Sequence, residues 1–290
     1  MRTRILIVLL VSAAIVVAVL GPWSPLWGLR AVIVGSTTTT QDTGLLDVLQ
    51  EAYRAQTGQP LKIVVAGTGA ILQQARNGDL DVLLTHDRDR ELTFVADREG
   101  LWRRAVMYNW FVFVGPNWPE WAPVEARDEL SRNATSFLDL LFEHRADIAF
   151  VSRGDGSGTH SRELALWSSA GIDSANLTGA WYKETGSGQA ETLRVAVELG
   201  AYALCDEATW NRLAAAGLTG DLTVLVRDPS RMKNQYGVIP ISQSRHPAAD
   251  EAGVIAFATW LTGPGGQAII RNYRVGGLPA FYPDADDPSA

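Results

Sequence analysis

The feature that most constrains this sequence is an alternation of short apolar runs and helical patterns, with glycine or hydroxyl residues at each junction. The run 31–34 is followed by the polar segment 36–42 and then by apolar residues at helical spacing up to Gly58. The same order returns at 61–77, where an apolar run precedes a glycine turn and a short helix. Such alternation predicts an α/β fold with mostly parallel sheets and right-handed crossovers.

Later segments predict that the chain leaves this first unit and then returns to it. The apolar run 110–114 is predicted to be a strand that crosses into a second lobe, and 236–239 is predicted to be the return strand. A last helix over 250–261 is expected to pack on the first lobe. We therefore expect a two-lobed fold with a central ligand cleft. The expected bounds are 31–112 and 233–290 for lobe 1, and 113–232 for lobe 2.

The N-terminal residues have the layout of an export signal, because two arginines in the first four positions precede an apolar run over 5–20. We expect residues 1–30 to be a signal peptide or an uncleaved membrane anchor plus a linker, and the mature protein to be periplasmic or extracytoplasmic. The single cysteine, Cys205, lies far from this run. Its position excludes a lipid-anchored cysteine directly after the run and any disulfide within the chain.

Composition narrows the classes of partner. The 290 residues are 47% hydrophobic and 20% charged, which is typical of a globular protein, and the formal net charge is −7. Nucleic acid and anionic membrane surfaces are therefore poor partners. An anionic ligand is still compatible with this charge, because a buried site recognises anions through local dipoles and hydrogen bonds.

The strongest local motif lies between a predicted strand over 147–152 and a predicted helix over 159–169. Gly156 and Gly158 allow a tight turn, and the first backbone N–H groups of the helix point toward an anion. Arg153 can present two parallel donors, and the hydroxyls of Ser157 and Thr159 add neutral ones. The alternative is a simple helix cap with a surface ion pair.

Two other junctions carry similar groups. The segment 36–40 contains five consecutive hydroxyl residues, and Thr68 lies between two glycines. Each of these could also be an ordinary helix cap or turn. The carboxyl ends of parallel strands meet at one edge of a sheet, so all three junctions are expected to face one anion site.

Together these segments resemble the TupA-type tungstate-binding components of bacterial ABC importers, within the type II periplasmic binding proteins. The resemblance spans nearly the whole chain after the signal. The matching segments are 36–46, 65–69, 79–86, 106–116, 150–160, 181–186, 200–202 and 236–239.

The resemblance implies a bilobal fold that closes over a tetrahedral oxyanion, with a membrane permease and a cytoplasmic ATPase as partners. We expect a monomer without a cofactor. One departure is Thr39, where the family more usually has serine. The ligand-binding residues that the resemblance implies are Thr37, Thr38, Thr39, Thr68, Arg153, Ser157, Gly158 and Thr159.

Molybdate and phosphate stay open as ligands. Molybdate has the same charge and shape as tungstate, and the motif from Arg153 to Thr159 also resembles the clamp of phosphate-binding proteins. A carboxylate at Asp155 would accept the proton of hydrogen phosphate, whereas it would repel tungstate. For tungstate we therefore expect Asp155 to bond to the backbone or to Arg153.

Two other classes of function remain open, an exported hydrolase and a membrane-held sensor. An exported hydrolase would use Ser157 and His160, although no G-x-S-x-G or Walker motif is present. A membrane-held sensor would use the N-terminal run as its anchor. The alternating charges at 87–91 predict a solvated helix start. No metal site is expected, because the remaining histidines, His86, His144 and His246, are isolated.

Overall fold

The structure is a computed structural model that describes residues 30–243, 247 and 251–286. Residues 1–29, with most of the predicted export signal, lie outside the described residues, as do His246 and the predicted first residue of the last helix, Asp250. In the described part of the chain, no helix has the length and apolar character needed to cross a membrane.

Helices and strands alternate along most of the chain. The strands are β1 (Val32–Thr37), β2 (Leu61–Ala66), β3 (Val82–Thr85), β4 (Arg104–Gly115), β5 (Phe150–Ser152), β6 (Tyr182–Glu184), β7 (Tyr202–Asp206), β8 (Thr223–Val226), β9 (Lys233–Pro240), β10 (Arg274–Val275), β11 (Leu278–Pro279) and β12 (Tyr282–Pro283). The α-helices are α1 (Thr38–Thr43), α2 (Leu45–Thr57), α3 (Thr68–Asn77), α4 (Arg88–Ala96), α5 (Arg127–Leu130), α6 (Ala134–Glu143), α7 (Gly158–Ser169), α8 (Gln189–Leu199), α9 (Glu207–Ala215), α10 (Glu251–Thr262) and α11 (Pro264–Asn272).

Eight of these strands form one long sheet in the order β2-β1-β3-β9-β4-β7-β5-β6. Strands β8 and β12 also pair with β4, and β10 and β11 form a separate two-stranded sheet. On the first side, β1 pairs parallel with β2 and β3, and on the second side β5 pairs parallel with β6 and β7. These parallel pairs are the ones joined through helices, which confirms the predicted α/β fold. The strands that pass between the two sides, β4 and β9, pair antiparallel with their neighbours.

Strand β4 joins the two sides of the sheet because it changes partner along its length. Its residues from Arg104 to Trp110 pair with β9, whereas those from Phe111 to Val114 pair with β7. The register places Asn109 opposite Asn234 of β9 and Phe111 opposite Asp206 of β7. Both sides of the sheet therefore meet around Asn109.

Separate apolar clusters cover the two sides. Helix α10 packs into the cluster on the first side through Val254, Phe257 and Leu261, as predicted from the sequence. On the second side, Phe113 and Trp167 belong to a different cluster, formed with α6 and α7. The predicted lobe bounds themselves stay a prediction.

The segment 36–42 differs from its predicted form. It was expected to be a loop that opens the first helix, but Thr38–Thr43 is itself a short helix, α1. Gly44 ends α1 and separates it from α2. Its φ of 82° is a left-handed conformation that glycine adopts without strain. The hydroxyl of Thr43 donates to the Thr40 carbonyl and supports this turn.

One buried acid ties β6 to α7. The hydroxyl of Tyr182 donates to Glu163 over 2.6 Å, and both side chains are buried. Burial disfavours the charged carboxylate and raises the pKa of Glu163 to about 7, although the hydrogen bond from Tyr182 opposes this. The folded chain therefore holds a proton on Glu163 in a pH range where the unfolded chain has released it.

We predict that the substitution Glu163→Gln changes the pH dependence of stability. The stabilisation from protonated Glu163 is complete below the unfolded pKa of 4.5 and is lost as pH rises through 7. The free energy of unfolding of E163Q minus that of the wild type should therefore increase by about 3 kcal/mol from pH 4.5 to pH 7.5. Urea unfolding of both proteins at several pH values measures this difference in free energy. A flat difference, like that expected for the exposed control E129Q, would contradict the prediction.

Candidate functional site

Three helix starts meet at one edge of the sheet. Helix α1 begins directly after β1, α3 begins one residue after β2, and α7 follows β5 through a glycine-rich turn. The first N–H groups of a helix lack partners within it, and the helix dipole favours negative charge there. Helix α7 also begins with a side-chain cap, since the Ser157 hydroxyl accepts from His160 N. The three predicted junctions therefore do converge.

Arg153 connects the two sides of the sheet. Its side chain is 1% exposed, and its guanidinium donates to the Thr39 hydroxyl over 3.0 Å and to the Thr38 hydroxyl over 3.2 Å. Both threonines lie at the start of α1 on the first side, whereas Arg153 follows β5 on the second. The structure thus brings together the arginine and two of the threonines that were predicted to form the site.

Thr68 joins the same cluster from α3. Its buried hydroxyl accepts a hydrogen bond from the backbone N of Gly158 over 3.2 Å. Thr37 is buried nearby, but its hydroxyl pairs with the hydroxyl of Thr40 at 3.0 Å. Thr37 therefore supports α1 in this arrangement, and Thr38 and Thr39 are the residues that reach Arg153.

Two donors in this cluster lack partners in the described part of the chain. They are Nε of Arg153 and the hydroxyl of Thr159, and both atoms are fully buried. Buried polar groups are nearly always hydrogen-bonded, because leaving one unpaired costs about 1–3 kcal/mol. These atoms fit a polar occupant of the site that accepts hydrogen bonds.

The turn between β5 and α7 requires glycine at two positions. Gly154 has a φ of 60° and Gly156 a φ of 67°, which side chains rarely adopt. A Cβ atom on Gly154 would also lie only 2.6 Å from Cβ of Glu184. The sequence predicts a tight turn at Gly156 and Gly158. The structure adds Gly154, whereas Gly158 is needed for close approach to a neighbour.

A cavity of about 400 Å³ opens beside Arg153 and the helix starts. Backbone and small side chains form much of its wall, which suits a small polar ligand. The lining residues are Thr38, Gly67, Gly69, Ala70, Arg90, Arg153, Asp155, Gly156, Gly186, Ser187 and Gly188.

Two parts of this wall were not predicted. The segment 186–188 precedes α8 and brings a fourth helix start to the cavity. Its Gly-Ser-Gly sequence before a helical pattern is the signal that could have identified it. Arg90 was placed on a solvated helix start, and α4 does begin there with Asp87 as its cap. The guanidinium of Arg90, however, donates to the Gly156 carbonyl over 2.7 Å.

Asp155 has the partners that were expected for a tungstate site. Its carboxylate accepts from Arg153 over 2.5 Å and from the backbone N of Ser157 over 3.1 Å. Burial raises the pKa of Asp155, but the charge of Arg153 and the hydrogen bonds from Ser157 outweigh it and hold the pKa below its usual range. Asp155 is therefore ionised at neutral pH and offsets part of the charge of Arg153.

The geometry does not form a Ser157–His160 catalytic pair. Nδ1 of His160 accepts from the backbone N of Gly156 over 3.0 Å, and Nε2 lies 3.9 Å from the Glu184 carboxylate. The Ser157 hydroxyl accepts from the backbone N of His160 instead of bonding to its ring. Within the described ranges, no three residues among His, Cys, Asp and Glu are grouped so that they could hold a metal ion.

Comparisons with known proteins show the family of this chain. The model of the PBP superfamily domain matches residues 28–264. The chain is 37% identical over 257 residues to the tungstate-binding protein TupA of Peptoclostridium acidaminophilum, which covers 88% of this chain and 86% of that protein.

Two solved structures are similar over most of the chain. A tungstate ABC transporter structure from Geobacter sulfurreducens is 36% identical with a TM-score of 0.71, covering 84% of this chain and 99% of that one. The tungstate-binding protein TupA from Desulfovibrio alaskensis is 32% identical with a TM-score of 0.73, covering 89% and 100%. This chain therefore belongs to the PBP superfamily and, within it, to the family of the TupA tungstate-binding proteins.

Proposed function

We propose that this protein is an extracytoplasmic binding protein that captures tungstate for an ABC importer. The observation that carries the proposal is the buried guanidinium of Arg153, which donates hydrogen bonds to the hydroxyls of Thr38 and Thr39 beside the cavity. A buried cation surrounded by hydroxyls and helix starts is suited to a small dianion. Such a site binds and releases its ligand without making or breaking a covalent bond.

The shape of the donor set supports a tetrahedral ligand. Donors come from both sides of the sheet: the start of α1, Thr68 on α3, Arg153 in the turn after β5, and Thr159 at the start of α7. Four oxygens that point to the corners of a tetrahedron can be bonded from such different directions. Neutral hydroxyl and amide donors supply most of these bonds, so the charge of Arg153 suffices although Asp155 offsets part of it.

The relatives support the choice of tungstate and the transport role. The TupA proteins of two relatives are described as tungstate-binding, and a third similar structure is that of a tungstate ABC transporter. We infer that this chain delivers its ligand to a membrane permease that is driven by a cytoplasmic ATPase. The export signal or anchor that the sequence predicts within residues 1–30 supports a position of the binding domain on the outer side of the membrane.

Phosphate is the second candidate, because Asp155 lies on the cavity wall beside Arg153. A carboxylate at this point could accept the proton of hydrogen phosphate. In the structure both of its oxygens already accept hydrogen bonds from Arg153 and from the backbone of Ser157. This arrangement favours an oxyanion that carries no proton and therefore needs no acceptor. Tungstate and molybdate are both such oxyanions.

We predict that tungstate raises the stability of the wild type and that Arg153→Ala removes this effect. At a hundredfold excess over the dissociation constant, the ligand should stabilise the fold by about 2.7 kcal/mol. Thermal melting with tungstate, molybdate, sulfate and phosphate, followed by calorimetric titration, measures it. Arg132→Ala is the matched control, since Arg132 is exposed and pairs with Asp128 on the surface.

The outcomes of this experiment separate the hypotheses. If no oxyanion stabilises the wild type, the capture function is wrong. If R153A still responds as the wild type does, the clamp is misassigned. A response to phosphate that exceeds the response to tungstate would favour the second candidate.

A second prediction concerns the charge of Asp155. The substitution Asp155→Asn keeps the size of the side chain and one of the two acceptors that bind Arg153 and the backbone N of Ser157. It removes a negative charge from the cavity wall. Tungstate should therefore bind D155N at least as tightly as the wild type, with a gain of up to about tenfold. Phosphate binding should weaken, because its proton loses an acceptor.

Calorimetric titration of both anions against D155N and the wild type tests this prediction. Asp173→Asn is the control, because Asp173 caps the short 3-10 helix Ser174–Asn176 on the surface. A tenfold loss of tungstate affinity in D155N would show that the carboxylate supports the ligand instead of opposing it.

A further inference from the structure

A buried histidine lies directly behind the anion-binding turn. A Cβ atom on Gly158 would be 3.0 Å from both Cε1 and the carbonyl oxygen of His86, so a larger residue would press against this ring. Gly158 is also the residue whose backbone N donates to Thr68. The first turn of α7 is therefore held between Thr68 and His86, both from the first side of the sheet.

The ring of His86 is fixed by two contacts with β9. It stacks on Tyr236 with ring centroids 4.8 Å apart and an interplanar angle of 25°. Its Nδ1 lies 2.9 Å from Oδ1 of Asn234. All three side chains are buried, so water does not compete for these contacts.

The hydrogen bond from His86 continues through three more side chains. Nδ2 of Asn234 donates to Oδ1 of Asn109 over 2.7 Å and to the hydroxyl of Tyr236 over 3.2 Å. Nδ2 of Asn109 donates to Oδ1 of Asp206 over 3.2 Å. We call the chain His86–Asn234–Asn109–Asp206 the polar relay.

The relay has one direction. Oδ1 of Asp206 accepts from the backbone N of Thr209, so it also acts as an acceptor toward Asn109. Asn109 must then present its Nδ2 to Asp206 and its Oδ1 to Asn234, and Asn234 must present its Oδ1 to His86. His86 is therefore the donor, and its proton lies on Nδ1. Burial keeps the ring neutral, since it lowers the pKa of His86 to about 4.

The relay crosses the place where β4 changes partner. Asn109 pairs with Asn234 in the register of β4 and β9, and two residues later Phe111 pairs with Asp206 of β7. His86 follows β3 on the first side, whereas Asp206 ends β7 on the second. The four hydrogen-bonded side chains thus require one relative placement of both sides of the sheet.

We propose that His86 is a positioning residue for the anion clamp, and that the polar relay holds it in place behind Gly158. This role deepens the proposed function and rests on it. With the relay intact, the backbone N–H groups at the start of α7 are fixed before the oxyanion arrives. Without the bond to Asn234, the ring loses its orientation and the turn is no longer preorganised.

The test compares two substitutions of nearly equal size. His86→Asn retains a donor at the position of Nδ1, whereas His86→Leu does not. Tungstate should bind H86L at least about tenfold more weakly than the wild type, and H86N should recover a large part of this loss. His144→Leu is the matched control, because His144 stacks on Trp121 at another part of the second side.

Calorimetry gives the affinities, and far-UV circular dichroism confirms that each variant is folded. If H86L cannot be purified in folded form, Asn234→Ala replaces it, since it removes the same hydrogen bond and should cause a similar loss. Equal affinities for H86N and H86L, or for H86L and the wild type, would overturn the proposal.

A spectroscopic measurement distinguishes positioning from a general structural effect. The chain has four histidines, so H86N identifies the His86 signals in long-range ¹H–¹⁵N spectra. We expect a neutral ring at pH 7 with the proton on Nδ1, and a proton on Nε2 would show that the relay is wrong. If the wild type binds no oxyanion, the proposed function fails, whereas this spectrum still decides whether the relay exists.

Discussion

The burial of the Arg153 guanidinium is the interaction on which the rest of the site depends. A buried charge is tolerated only when it is paired and hydrogen-bonded, and the partners of Arg153 are Asp155 from its own turn and two threonines from the other side of the sheet. The arginine thereby holds the glycine-rich turn against α1. Because its charge is partly offset by Asp155, the site has little excess positive charge of its own. A dianion is then held mainly by directed hydrogen bonds, which explains how a chain of net charge −7 can present an anion site.

The position of the hydroxyl groups follows from the βα junctions. Each of β1, β2 and β5 ends at the same edge, and the residue types at that edge serve two purposes. Thr68 and Thr159 lie in the first turn of a helix, where N–H groups are unpaired, and their side chains add donors to the same point. In the proposed site, helix starts are thus both the structural end of a crossover and the recognition element. Small residues keep the backbone accessible, which agrees with glycine at 67, 69 and 156 on the cavity wall.

Local patterns explain which parts could be predicted from the sequence. The α/β class, the convergence of three junctions and the bonds of Asp155 follow from residue types within a few positions of one another. Helix α1 was missed because consecutive threonines have low helix propensity, and the turn forms through bonds such as the one from Thr43. Arg90 was missed because its role depends on Gly156, which lies 66 positions away in sequence. A pattern of alternating charges contains no information on such a contact. The polar relay through Asn109 could not be predicted from the sequence for the same reason, because its members lie on four different strands or strand ends.

The polar relay lies where β4 changes partner, and this position explains what the relay can do. Where β4 changes partner, this one strand joins the two sides of the sheet. Apolar packing alone tolerates small rotations of one side against the other, because it has no direction. Hydrogen bonds between buried side chains are directional, and breaking one leaves an unpaired polar group in the interior. A chain of such bonds at Asn109 and Asn234 therefore favours one relative placement of the two sides over its neighbours. The site depends on this relative placement, because Arg153 and Gly158 belong to one side of the sheet and Thr38, Thr39 and Thr68 belong to the other. An oxyanion clamp whose donors come from both sides is only as precise as the strand that joins them.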